Sequence, residues 1–343
     1  MPKFGGIFRG VRALSLLCLA FLFISLNSAA GEVATDAEGL PQEVFISMGV
    51  IDIDDINSAA QSFTLNLFVQ FRWHDPTLAH ENEFPIREQL ANIQAPRFLL
   101  LNQQRSWSTL IDIVDISRSG EVNYRMRLWG DFSQIMRLHD FPLDRHTFEI
   151  PVVALGHSDK TIKLLPDTKE DSFMGRALSV ADWSIAGWSA EAKQINVEST
   201  KSMNGFVFSF EAERIVGFYF IKYIIPLFLI VAMSWVVFWV DPSEAGTQLN
   251  VAVTTVLTLI AYHIALSNKL PDIPYVTRMD LLVFGSTLLV FLSLIEVVTT
   301  SRLGKTDRLV LAQNIDVACR IIFPILYCVL AYFSLYRGLH KMV

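Results

Sequence analysis

The polar residues that invite a chemical reading sit inside an apolar segment. Residues 246–268 carry Thr247, Gln248, Asn250, Thr254, Thr255, Thr258, Tyr262, His263, Ser267 and Asn268 among leucine, valine, isoleucine and alanine. A polar side chain facing lipid is costly, so these must face protein or water. Thr247, Asn250, Thr254, Leu257, Ala261, Ile264 and Asn268 step by three and four and draw one stripe down a helix. The stripe is polar at its lower end and pinched by Leu257 and Ile264 above. One such helix encloses nothing. Several copies around an axis would make each stripe residue a ring, with Asn250 and Thr254 replacing part of an ion's hydration and Leu257 forming a dewettable constriction. The competing reading is that these Asn and Thr side chains join helices through hydrogen bonds.

Other chemistries find less support. The three cysteines, Cys18, Cys319 and Cys328, all lie in apolar segments, which excludes a disulfide framework and a cysteine zinc site. No metal and no cofactor are expected. With 28 basic and 34 acidic residues, a net charge of −6, the chain lacks the basic surplus of a nucleic-acid binder. A membrane enzyme or transporter would need a carboxylate pair, a nucleophile constellation or broken helices at mid-membrane. Glu296, Asp316 and Arg320 lie near helix ends, Pro324 is the mid-segment breaker of the last apolar segment, and no inverted repeat is visible. His139, His146 and His263 are candidate pH sensors, since histidine titrates near neutrality.

The elements that must position these residues follow from composition and periodicity. Hydrophobic residues make up 52% of the 343 and charged ones 18%, against about 25% in soluble domains. Residues 1–30 read as a secretory signal: Lys3, Arg9 and Arg12, then an apolar centre, then Ser28-Ala29-Ala30. Residues 31–218 alternate with period two. Phe63, Leu65, Leu67, Val69, Phe71 and Trp73 oppose Thr64, Asn66, Gln70 and Arg72, and 122–128, 146–152 and 206–210 behave likewise. That pattern predicts an all-β sandwich of immunoglobulin-like type outside the cytoplasm. Residues 219–343 hold four apolar segments, 219–240, 246–268, 277–300 and 315–337, each long enough to cross a hydrocarbon core about 30 Å thick. A four-helix transmembrane bundle is expected, with the C-terminus on the side of the sandwich. The connection 301–314, with Arg302, Lys305 and Arg308, fits the cytoplasm, although Lys269, Arg278, Arg337 and Lys341 then lie outside.

Several motifs in register resemble the pentameric ligand-gated ion channels, the Cys-loop receptor superfamily and its bacterial members. Phe141-Pro142-Leu143-Asp144 matches the signature Phe-Pro-x-Asp loop, with Gln134 and Phe148 where animal receptors have the bracketing cysteines. Trp73-His74-Asp75, Pro226, Thr254-Thr255-Val256-Leu257-Thr258 and Leu270-Pro271 match further motifs in the family's order. The resemblance implies a homopentamer in a membrane, a bacterial inner membrane by the missing disulfide, that passes inorganic ions in response to a small extracellular agonist or protons. It places Leu257 at the hydrophobic gate. It implies a relay from the loop at Phe141, Pro142 and Asp144, and from the first interstrand loop at 54–61, to the segment 269–275 with Lys269, Pro271 and Pro274. Arg214, just before the first membrane segment, would pair with Asp144 or with an acid of 54–61; the alternative is a solvated surface arginine.

Anion-passing members carry an Ala-Arg pair at the inner mouth, where this chain reads Gly246-Thr247-Gln248. The glutamate of cation-selective members is not at that place either, but Glu244 lies two residues upstream and five copies would form a negative ring. A cation channel is expected; the alternatives are that Glu244 caps a helix N-terminus, and that the pore passes anions or needs a partner subunit. The family's aromatic box is thin here. Its positions map to Phe68, which stands on the polar face of its strand, to Leu101 and Leu155, and to Asn123 and Arg125 on the complementary face, with Phe206 as a further aromatic candidate. A lone Phe such as Phe68 on a polar face is more often subunit-interface packing than a ligand wall, and Arg125 reads either as a partner for an acidic ligand or as a surface ion pair.

Overall fold

The computed structural model describes residues 42–155, 162–198, 201–267, 273–306 and 308–336. The signal segment 1–30, Asn268, Lys269 and Pro271 lie outside the described residues.

Two antiparallel-rich sheets form the N-terminal half. β1 (Gln42–Asn57) and β2 (Ser62–His74) pair antiparallel, and β7 (Glu121–Ser133) runs along β2 without a break. β6 (Ile113–Ile116) and β3 (Ile86–Gln89) continue that sheet, β5 (Gln103–Ser108) adds to β7, and β9 (Ile162–Pro166) and β10 (Phe173–Met174) lie parallel on β1. The second sheet runs β11 (Trp183–Glu198), β12 (Lys201–Arg214), β8 (Arg145–Leu155), β4 (Arg97–Leu100). Alternation decides which faces meet. Phe63, Leu65, Leu67, Val69, Phe71 and Trp73 of β2 are at most 1% exposed. Phe63 reaches across to Phe148 and Phe210 of the other sheet, with ring centroids 5.0 and 5.9 Å apart. Those edge-to-face pairs lock the two sheets more specifically than area burial alone. The expected sandwich is therefore present, although β1 and β11, at 16 residues each, are longer than the short strands the turn spacing suggested.

One expected site residue falls to this core. Phe206 shares its face of β12 with Phe208 and Phe210, and all three are fully buried between the sheets. Phe206 therefore cannot line a ligand site on the surface. The spacing of Phe206, Phe208 and Phe210 at every second position already carried that signal.

The C-terminal half has four helices long and apolar enough to cross a membrane: α1 (Val216–Trp239), α2 (Ala245–Ser267), α3 (Arg278–Gly304) and α4 (Leu309–Tyr336). α1 begins ahead of the expected 219, α3 runs past 300, and α4 starts six residues before 315. The last connection is thus far shorter than 301–314. Hydropathy marks the stretch that suits hydrocarbon, whereas backbone hydrogen bonding carries a helix past it, helped here by Arg302 in the last turn of α3. α1 is not uniform. Pro226 cannot donate a backbone N–H, and just before it the helix widens into a π turn over Phe220–Ile224.

Candidate functional site

α2 has two distinct faces. Gln248, Ala252, Thr255, Leu259 and Leu266 are at most 3% exposed and pack against the other helices. Gln248 donates to the carbonyl of Val240 at 2.9 Å and accepts from the Ser301 hydroxyl at 3.2 Å, and the Tyr262 hydroxyl donates to the Tyr223 carbonyl in the π turn at 2.8 Å. These contacts fix the rotation of the helix. They leave Thr247, Asn250, Thr254, Leu257, Ala261 and Ile264 all exposed, Leu257 to 62% and Ile264 to 61%. The Thr254 hydroxyl donates to the Asn250 carbonyl at 2.7 Å, and Thr258 repeats the pattern onto Thr254, so the hydroxyl oxygens keep lone pairs to offer outward. Glu244 is exposed just before α2; its backbone carbonyl, not a side-chain cap, receives the N–H groups of Thr247 and Gln248.

Between the sandwich and the helices lies a dense junction centred on Arg214. Its side chain is 3% exposed, which overturns the alternative of a solvated surface arginine. Nε and Nη2 donate to the two carboxylate oxygens of Asp144 at 2.9 and 3.0 Å, Nη2 also donates to the Ser58 hydroxyl at 2.8 Å, and Nη1 to the Tyr219 hydroxyl at 3.0 Å. The guanidinium stacks on Trp183 at 4.1 Å and on Phe141 at 4.8 Å. Of the two partners expected for Arg214, Asp144 is present, while the turn between β1 and β2 contributes a serine instead of an acid. That turn is also shorter than 54–61, because Asp54 and Asp55 are still in β1. His146 binds Asp144 as well, Nε2 to Oδ2 at 2.9 Å. Burial pushes the Asp144 carboxyl up, but hydrogen bonds from His146 and Arg214 outweigh it and hold the group below the usual carboxylate range. Pro142 is buried beside Phe141.

The link onward to the helices joins His139 and Tyr275, the last residue of the expected relay segment 269–275, to Leu138, Asp140 and Arg278, for which no relay role was expected. The Tyr275 hydroxyl accepts from the Leu138 N–H at 3.0 Å, the His139 ring lies 4.2 Å from the Tyr275 ring, and Arg278 pairs with Asp140. Pro274, also of that segment, is exposed. These contacts join positions about 138 apart in the chain, which no local pattern announces.

The expected ligand residues fall into two groups. Phe68 stands on the outer face of β2, opposite Gly49 and Arg127, with Asn123 and Arg125 on the neighbouring strand β7. Leu101 follows β4, and Leu155 ends β8 opposite Arg97, both on the second sheet. Arg125 is already engaged, with Asp115 at 3.1 Å and Gln70 at 3.3 Å. On the same outer face as Phe68, Trp107 and Trp129 lie with ring centroids 4.9 Å apart, 54% and 36% exposed, and the Trp129 indole donates to Asp54. This aromatic and acidic cluster was legible only as two tryptophans among charged neighbours. A cavity of about 1590 Å³ opens elsewhere in the sandwich, beside Phe98, Asp112 and Tyr124, and takes none of the expected ligand residues. His263 is exposed on α2 and lines a small cavity with Leu259, Thr287 and Phe291. The Glu296 and Asp316 side chains face one another between α3 and α4, while Arg320 donates to the Phe238 carbonyl at 2.9 Å. Among the described residues no group of three or more histidine, cysteine or acidic side chains is arranged to hold a metal ion.

Comparison with known proteins fits this arrangement. The family model described as the neurotransmitter-gated ion-channel ligand binding domain matches residues 31–219, and that described as the neurotransmitter-gated ion-channel transmembrane region matches residues 223–308. The chain is 27% identical over 271 residues to the gamma-aminobutyric acid receptor subunit beta-4 of Gallus gallus, an alignment covering 76% of this chain and 55% of that relative's length. The two matches meet within the first turns of α1 and together cover most of the chain, so the chain belongs to the neurotransmitter-gated ion channels, the pentameric Cys-loop receptors, a family of ligand-gated channels and not of enzymes.

Proposed function

We propose that five copies of this chain form a homomeric channel with α2 from each copy lining the pore, Leu257 and Ile264 narrowing it, and Asn250 and Thr254 facing the ions. The supporting observation is the division of α2: its buried face is satisfied within the subunit, and the exposed stripe carries Thr247 and Asn250, whose side chains hydrocarbon would leave unsatisfied, beside Thr254. Asn268 would continue the stripe at its outer end. The N-terminal sandwich is then outside the cell membrane, in the periplasm of a bacterial inner membrane, and the C-terminus is on the same side.

Cation selectivity rests on charge alone: no base stands at 246–248 and Glu244 is exposed at the inner end of α2. The similarity to a gamma-aminobutyric acid receptor subunit lends it no support. The stimulus is a small extracellular agonist or protons. Phe68, Trp107, Trp129 and Asp54 share a sheet face and would offer a cationic ligand aromatic rings and an acid, whereas Arg125, which shares Asp115 with Arg87, and Arg127, bonded to the Asn66 amide, would suit an acidic one. Leu101, Leu155 and Asn123 would complete the site across neighbouring subunits. For protons, His139 and His146 sit at the junction itself and His263 within α2. Arg214, Asp144, Phe141 and Pro142 would relay either stimulus, with Lys269, Pro271 and Pro274 leading to α2.

Currents from membranes containing the chain alone, recorded in asymmetric salt while external pH and a panel of amines and acids are stepped, test this reading. Leu257→Ala is expected to open more readily or spontaneously. Absence of current from both proteins, with pentamers present at the surface, would overturn a homomeric channel opened by those stimuli.

A further inference from the structure

Arg278 occupies the first helical position of α3, directly behind a capping box formed by Thr277 and Asp280. That is an unfavourable place for a base, because a helix N-terminus carries partial positive charge. The side chain is also only 17% exposed, which adds a desolvation cost. Two contacts offset these terms. Nε donates to Asp140 Oδ1 at 2.5 Å, in the loop between β7 and β8, and Nη1 donates to the Ser334 carbonyl at 3.3 Å. Ser334 lies in the π turn Tyr332–Tyr336, the last described turn of α4, and the guanidinium takes up its carbonyl. One guanidinium thus joins the Phe-Pro loop, the start of α3 and the end of α4. Local preference argues against a base at this position, and tertiary contacts hold it there.

We propose that Arg278 is a positioning residue for gating, a latch through which the outer end of α4 biases the loop at Leu138–Asp140 and, through Tyr275, the position of α2. The inference rests on the reading of the chain as a gated pore. Tyr275 grips the loop from one side, at Leu138, and Arg278 from the other, at Asp140. A loop held at two adjacent points shifts its balance of positions when one hold is removed.

The test is a double-mutant cycle in the Leu257→Ala background, read as spontaneous open probability in planar bilayers without any agonist. Arg278→Gln and Asp140→Asn should each change it in the same direction by about five-fold or more. The double variant should go no further than either single one, because both remove one latch. Arg278→Lys, a point charge without the fork to span both partners, should fall between. An unchanged open probability in Arg278→Gln, or multiplying effects in the double variant, overturns the latch. Amide exchange over 134–144 in the same purified proteins reads the latch without current. Faster exchange in Arg278→Gln than in its Arg278 parent supports it, and unchanged exchange overturns it. If every protein is silent while that exchange difference persists, the pore reading fails and takes the gating role with it, while the hold of Arg278 on the loop stands.

Discussion

Arg214 shows how much a single side chain can concentrate. Its fork matches the Asp144 carboxylate on two bonds, and the remaining donors reach Ser58 and Tyr219, so the charge is buried but fully paired. Arg214→Ala would leave the Asp144 carboxylate buried beside His146 alone, and breaking a buried pair from one side costs about 3–5 kcal/mol. The expected result is a sharp loss of assembled protein or of its thermal stability, with Arg214→Lys intermediate because lysine keeps the charge and loses the fork. The same pair sets a pH dependence. Since Asp144 is held below the usual carboxylate range in the folded state, its contribution is complete above the unfolded value of about 3.9. It shrinks as the pH falls below that value and is gone once the pH passes the lower folded one. Melting curves of the parent should therefore lose stability through this acid window by a component that Asp144→Asn lacks. The residue types at this junction were legible from the Phe-Pro-x-Asp motif and the arginine before α1. Ser58 was not, because a turn serine carries no signal of the guanidinium that will reach it from 156 positions away.

At the scale of elements, the strands were legible where burial differs between faces and the helix ends were not. β2 announces itself because six apolar residues alternate with polar ones, and the sheet buries the apolar set. The facing ends of α3 and α4 escape hydropathy: Ser301 and Arg302 are polar yet still helical, and Gln313 and Asn314 separate the apolar first turn of α4 from the rest of its apolar stretch. The π turn in α1 escapes it too, although Pro226 marks its neighbourhood. That turn matters for α2, because the Tyr262 hydroxyl satisfies the Tyr223 carbonyl there. Tyr262→Phe keeps the ring and removes the donor, leaving a partly buried carbonyl unpaired at a cost of about 1–3 kcal/mol. A lower melting temperature of the detergent-solubilised protein is expected. The cost should be smaller if α1 regains a regular α-helical turn, and an unchanged melting temperature would show that the Tyr223 carbonyl finds another donor.

At the scale of the proposed assembly, symmetry would convert weak local features into strong ones. One Glu244 at the end of one helix is an ordinary exposed acid, and its carbonyl already serves the first turn of α2. In the proposed pentamer five of them around an axis would repel one another and attract cations, with a field extending about one Debye length, about 10 Å at 0.1 M salt and 30 Å at 0.01 M. A ring that selects through this field must lose influence as salt rises. Neutralising it with Glu244→Gln should therefore lower single-channel cation current strongly in dilute salt and little in concentrated salt, while the reversal potential moves away from the cation equilibrium value. Equal effects at all ionic strengths would mean that Glu244 acts by shape or by supporting the start of α2. A parent reversal potential that follows chloride would remove cation selectivity outright, and the stripe of Asn250 and Thr254, which is neutral and can hydrate either sign, would still describe the pore.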